Sequence, residues 1–387
     1  MPSILLRRSA VLVLLALAAG GAGACTDTNN NASYVVVGNN TPPDGGAGAG
    51  GTGGGDGGTG GGVVVDAGNP SGPPPYLWYA GGALEAFTRA QTQATNHDGP
   101  SVVIRPDGPG TSFHDLAFDR DGNLWTLPRS GDRIYRIAAS ALVGSVGGTP
   151  PAPSLVVTSA ALSSAQSLVF DAQGNLWVMN YGGGGPGLAN IVRFDNPGAM
   201  SGAVTLTAAA IIAPASTPAG AAAFNQGTGI ALDGAGNLWL AAVASVARFD
   251  GAGAVQGQIT LAPGAVLTMA SLAGAYVDIA FGPGGALWIT GASAGYYAAR
   301  IDHPEALHGM VTPTPAAIVH LPSSNAFFAA GMAFDSAGAL WVAMDNALVA
   351  LPGASSLTGE VTPTPAVVLG LNVAFAPDLC SKLVFRP

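Results

Sequence analysis

From Leu77 to the C-terminus, short apolar runs alternate with clusters of Gly, Asp, Asn and Pro, a pattern that predicts strands separated by turns. One unit recurs. LAFDRDGNLW, from Leu116 to Trp125, returns as LVFDAQGNLW (Leu168 to Trp177), IALDGAGNLW (Ile230 to Trp239), IAFGPGGALW (Ile279 to Trp288) and MAFDSAGALW (Met332 to Trp341). The copies start 52, 62, 49 and 53 residues apart. Each reads as a strand, a turn carrying Asp, Gly and Asn, and a second strand that opens with Leu-Trp. A third strand follows in RIYRI from Arg133, NIVRF from Asn190, SVARF from Ser245, YAARI from Tyr297 and ALVAL from Ala347. The connector after it is visibly copied in ALHGMVTPTPAAIVHL from Ala306 and SLTGEVTPTPAVVLGL from Ser356, and its end predicts a fourth strand. Four strands in about 50 residues is the size of a propeller blade.

The ends of the repeat region complement each other. LWYAGGALEAF (Leu77 to Phe87) carries second and third strands with no AFD strand before them, and NVAFAP (Asn372 to Pro377) supplies such a strand near the C-terminus. The expected fold is therefore all-β, a six-bladed propeller of four-stranded blades, with the first blade assembled from both ends of the chain so that two sheet edges are hidden. All six tryptophans, Trp78, Trp125, Trp177, Trp239, Trp288 and Trp341, then share one blade position, which points to packing between blades rather than a stacking surface for sugars. KLVFR, from Lys382, is left over and reads as an added edge strand or as the start of a poorly matched seventh blade. Over residues 76 to 387 the D-x-x-G-N-L-W unit resembles the repeats of NHL-type propellers and of virginiamycin B (streptogramin) lyase, and more distantly the gluconolactonase and regucalcin group. These motifs specify a blade strongly and a function weakly.

The N-terminal 75 residues follow a different pattern. MPSILLRRSA and the apolar VLVLLALAAGGAGAC form a basic start, an apolar core and a small-residue exit, the organisation of a secretory signal over residues 1–24. Ala22-Gly23-Ala24 ahead of Cys25 resembles a bacterial lipobox, which implies a lipid on Cys25; the same three residues also read as an ordinary A-x-A cleavage site. Within the lipoprotein family, Thr26 after the cysteine implies the outer membrane or cell surface. Residues 25–75 carry NNN at 29 to 31, GGAGAGGTGGGDGGTGGG at 45 to 62 and Pro73-Pro74-Pro75, and read as a flexible tether despite the runs Val35 to Val37 and Val63 to Val65. If Cys25 carries lipid, Cys380 stands alone and no disulfide forms; without lipid, a Cys25 to Cys380 bridge is conceivable. The chain has 22 acidic and 13 basic residues in 387, a net charge of −9, which excludes a nucleic-acid grip.

Function on a propeller gathers at the mouth of the central channel, where the first strands start. The column just before each AFD strand reads Asn372, Asp115, Ser167, Gly229, Asp278 and Gly331. The column before that places His114, Gln166 and Thr228 against Val277, Ala330 and Leu371, a polar crescent facing an apolar wall. Loops after Leu-Trp would rim it with Arg129, Asp132, Asn180, Tyr181, Asp345 and Asn346. Ring order sets Asp115 and Asp278 three blades apart, too far for both to bind one bare cation, so a hydrated ion or a polar ligand fits better. The gluconolactonase-like resemblance implies a metal such as Ca²⁺ or Mg²⁺, with Asp115, Asp278 and Asn372 as its candidate ligands. His114 is the candidate base, the other histidines lacking equivalent blade positions. The turn acids Asp119, Asp171, Asp233 and Asp335 are expected to accept backbone N–H groups, and Arg136, Arg193, Arg248 and Arg300 to pair with nearby acids or carbonyls. The sequence thus reads as a lipid-anchored, exported propeller that binds a protein, glycan or small ligand. The alternative is a metal-dependent lactonase or a streptogramin-lyase-like enzyme acting on cyclic esters.

Overall fold

The computed structural model describes residues 34–37, 77–96, 99–106, 112–129, 131–143, 151–181, 190–214, 227–242, 245–269, 275–292, 296–321, 331–344, 347–371 and 382–386. Residues 1–33, with Cys25 among them, residues 38–76, Asp345, Asn346, residues 372–377 and Cys380 lie outside them. The described strands form six antiparallel blades around one axis. Blade two shows the plan: Phe113–Phe118 innermost, then Leu124–Pro128, Arg133–Ile137 and Leu155–Thr158. Blades three to six begin on Ala165–Phe170, Gly227–Leu232, Ala275–Phe281 and Met332–Phe334.

The D-x-x-G turn is built by its aspartate. Asp171 Oδ1 accepts the N–H groups of Gln173 and Asn175 at 3.0 and 2.9 Å, and Oδ2 accepts the Trp177 indole N–H at 3.0 Å. Asp119, Asp233 and Asp335 repeat these contacts in their own blades, as their turn positions predict. The glycine of the motif takes φ between +74° and +85° at Gly122, Gly174, Gly236, Gly285 and Gly338, a region that side chains rarely enter. Blade five has Gly282 in place of the aspartate and blade one has Arg386. In those two blades the buried indole N–H groups of Trp288 and Trp78 have no partner among the described residues.

All six tryptophans are buried at equivalent positions between blades. Five of them meet a phenylalanine of the next blade's inner strand edge to face: Trp78 with Phe118, Trp125 with Phe170, Trp239 with Phe281, Trp288 with Phe334 and Trp341 with Phe385. Trp177 packs against Leu232 at the same place. Third-strand arginines bind successive blades together. Arg136 donates to the Gly198 carbonyl and Arg193 to the Gly253 carbonyl at 2.6 Å, Arg248 to the Glu305 carbonyl at 2.8 Å, and Arg300 to the Ser355 carbonyl. Three of these guanidinium groups also lie over the tryptophan of their own blade, 5.5 to 5.7 Å from the ring centre.

Ring closure uses both ends of the chain, but not the strand the sequence favours. Lys382–Phe385 pairs antiparallel with Leu77–Ala80, so the leftover KLVFR is the innermost strand of blade one rather than an edge strand or a seventh blade. The reason is packing: Phe385 lies 6.0 Å from Trp341, filling the slot that Phe118, Phe170, Phe281 and Phe334 fill elsewhere. NVAFAP resembles the motif more closely in sequence, yet the slot it would fill is taken.

The connectors carry an element that the sequence reading missed. Gly202–Thr205, Gly257–Leu261, Gly309–Val311 and Gly359–Val361 each leave their own blade and pair in parallel with the outer strand of the preceding one. Blade six receives a single parallel bridge, Asn96 to Leu369. On blade one the fifth place is held by Tyr34–Val37, antiparallel to Val103–Pro106, so four residues read as tether join the sheet. An outer edge offers unpaired N–H and C=O groups, and any extended segment that reaches it can be recruited.

Candidate functional site

At the inner ends of the first strands, the column side chains of blades two, three and five reach the next blade. Asp115 Oδ2 accepts the Leu168 N–H at 2.8 Å, Ser167 Oγ the Ile230 N–H at 3.3 Å, and Asp278 Oδ2 the Met332 N–H at 3.0 Å. These contacts join blades two to three, three to four and five to six. Gly229 occupies the same column in blade four, and a Cβ there would stand 2.8 Å from Asp278 Oδ1. Its missing side chain leaves room for that carboxylate to turn inward.

In blade one the column residue is Lys382, not Asn372. Its Nζ lies 2.6 Å from Asp278 Oδ1, spanning from blade one to blade five across the ring. Asp278, Lys382 and Asp115 form a charged cluster at the centre of a molecule with few charges. Burial pushes the Asp115 carboxyl up to about 6; the Lys382 ammonium, the Ser167 hydroxyl and the Leu168 N–H oppose that rise, and the charge of Asp278 adds to it. Asp278 is likewise raised by burial against the pull of Lys382. Burial disfavours the charge of Lys382, but Asp278 and Asp115 outweigh it and raise its pKa.

The preceding column gains its orientation from β-bulges. The register between first and second strands slips at His114 in blade two, Gln166 in blade three, Thr228 in blade four and Val277 in blade five. A bulge re-aims the extra residue, and four of them at one level give the ring a second tier. Gln166 is buried, and the Thr228 hydroxyl donates to the Tyr276 carbonyl of the next blade at 3.1 Å. His114 is 3% exposed, and its Nδ1 has no partner among the described residues.

The predicted rim residues divide. Asn180 is fully buried; its amide donates to Ala161 O and Asn190 Oδ1 at 2.7 Å each and its carbonyl accepts the Ser163 N–H, so its capacity is spent within the blade. Asp132 pairs with its neighbour Arg133 at 3.1 Å. The Arg129 N–H bonds the Ser112 carbonyl and the Tyr181 N–H the Ser164 carbonyl, holding both residues beside the inner strands.

The carboxylates do not fit the expected metal. Lys382 already supplies the positive charge at Asp278, and among the described residues no three His, Cys, Asp or Glu side chains gather to ligate an ion. Lys382 is also the site residue that sequence alignment missed, although L-V-F in KLVFR matches the L-V-F of blade three and would have placed the lysine in the column.

The fold is a six-bladed β-propeller in which the Lys382–Asp278 ion pair links blades one and five. The chain is similar in structure to virginiamycin B lyase from Staphylococcus aureus, with a TM-score of 0.42 and 15% identity over 81% of this chain and 95% of that one. It is similar to a streptogramin B lyase, with a TM-score of 0.44 and 15% identity over 82% and 96%. A protein of unknown function from Bacteroides caccae gives a TM-score of 0.48 and 12% identity over 78% and 100%. No family model and no curated protein matches the chain.

Proposed function

We propose that this chain is an exported, lipid-anchored propeller that binds a small ligand at the mouth of its channel. One observation carries the binding site: His114 is buried on a bulge beside Asp115, and its Nδ1 has no partner among the described residues. A buried polar atom without a partner is costly, and a ligand that satisfies it recovers that cost. Gln166 and Ser167 continue the polar wall toward blade four, so the crescent of blades two to four is the contact surface. Ligands that bind the folded chain alone raise its melting temperature by mass action. A panel of monosaccharides, lactones and carboxylates is expected to contain compounds that do so for the full mature chain, with His114→Ala abolishing the shift. A shift that survives His114→Ala places the site elsewhere.

The anchor is argued from the apolar segment and Ala22-Gly23-Ala24-Cys25. No helix among the described residues is long and apolar enough to cross a membrane; the proposed attachment is a lipid on Cys25. Mass spectrometry of the mature N-terminal peptide is expected to show a diacylglyceryl-modified Cys25, and Cys25→Ser to release the protein from the membrane fraction. An unmodified N-terminus in the wild type would reduce the reading to plain secretion.

A second reading, an enzyme opening cyclic esters, is favoured by the Asp115 carboxyl, which burial raises to about 6 and which adjoins His114 in the inner strand, since a carboxyl so raised is closer to the range of a general acid or base. Turnover of lactones or of a streptogramin, lost in both His114→Ala and Asp115→Asn, tests it; no turnover in the wild type removes it.

A further inference from the structure

We infer that the ligand bound at the channel mouth presents an oxyanion, a carboxylate or phosphate group, to the ammonium of Lys382. The inference rests on the channel-mouth reading above and adds the chemical class of the ligand. It begins from where hydrogen-bonding capacity is already used. Asp115 Oδ1 accepts the Leu116 N–H at 2.6 Å and Oδ2 the Leu168 N–H. Asp278 Oδ2 accepts the Met332 N–H, and Oδ1 faces Lys382. Three of the four carboxylate oxygens are therefore held by backbone N–H groups of the ring, and the fourth is taken by Lys382.

Lys382 differs. An ammonium has three N–H donors, and Asp278 takes one of them. Its side chain is 16% exposed where that of Asp278 is 2% exposed, so the lysine is the more open partner of the pair. His114 adds a second nitrogen at the same end of the inner strands. An oxygen-rich anion satisfies both, and charge-assisted bonds to an ammonium are the strongest available at such a site. The net charge of −9 gives no long-range attraction for an anion, so recognition is by contact within the ring. Because Lys382 comes from the closing strand, the site is complete only when both ends of the chain are joined.

The test uses the full mature chain and its melting temperature with citrate, acetate and inorganic phosphate as anionic probes, glycerol and glucose as neutral ones, and methylamine as a cation. At least one anion is expected to give a saturable rise, with the neutral and cationic probes inert. Lys382→Met alone strands the Asp278 charge and can unfold the ring. The double variant Lys382→Met/Asp278→Asn removes both charges and keeps the volume. Once its cooperative melting is verified, it is expected to bind the anion about tenfold or more weakly. Unchanged anion affinity in that variant, or no anion effect on the wild type, overturns the inference. A neutral probe that binds and is lost in His114→Ala would overturn it while leaving the channel-mouth reading intact; binding insensitive to both His114 and Lys382 would sink both.

Discussion

Asp233 and Asp115 both accept backbone N–H groups, yet their carboxyls move in opposite directions. Burial pushes Asp233 up, but bonds from the Trp239 indole and from Asn237 and Ala235 outweigh it, and its pKa is lowered. Asp115 lies deeper, and burial wins, taking it to about 6 from 3.8. The consequence for stability has a definite sign. Above pH 6 the folded chain holds a buried carboxylate that the unfolded chain would hydrate; below it, the folded form binds a proton that the unfolded form releases until pH 3.8. Stability therefore rises as pH falls through 6, by up to about 3 kcal/mol. Urea unfolding at pH 7.5 and pH 5 is expected to show about half of this gain from Asp115, and Asp115→Asn to reduce the pH dependence. The turn role of each of these aspartates was legible in the sequence because its backbone partners lie within one hairpin, whereas its bond to the tryptophan indole came from the structure. The state of Asp115 was not, because its desolvation and its Lys382 and Asp278 neighbours come from blades far apart along the chain.

At the scale of the strand, repetition made the first, second and third strands of each blade readable, since each copy reports the same alternation and the same Leu-Trp start. The closing strand was misplaced because two C-terminal segments both match the motif, and similarity to a consensus does not measure packing. Phe385 against Trp341 decides the matter. Phe385→Ala is expected to cost about 2–3 kcal/mol, by opening a partly buried cavity beside Trp341. Chemical denaturation of the variant measures it, and a near-neutral effect would argue against Lys382–Phe385 as the closing strand. The connector strands such as Gly309–Val311 escaped notice for a different reason. They are three to five residues long and mostly exposed, so they lack an apolar signature, and what recruits them is the open edge of the neighbouring blade.

For the whole molecule, the ring is held by contacts that pass from blade to blade: tryptophan on phenylalanine, arginine on carbonyl, and column side chain on the next inner strand. The arginine latch is present in blades two to five. Blades six and one have Ala350 and Ala86 opposite their tryptophans, and Arg386 reaches from the closing strand to Phe118 and the Ala139 carbonyl of blade two instead. The centre is occupied by an internal cation, so Ca²⁺, Mg²⁺ and EDTA are expected to leave the melting temperature of the full chain unchanged. A rise of several degrees with either metal would show that the carboxylates exchange Lys382 for an ion.

The sequence by itself determined the blade, its turn chemistry and the number of copies, because each depends on residues close together in the chain, and the incomplete units at its two ends showed that those ends must meet. Only the tertiary structure decided which segment closes the ring, that a lysine stands between Asp115 and Asp278, and that Asn180 is spent inside its blade. Those outcomes depend on desolvation and on the fit of side chains across the axis, and no local pattern records either.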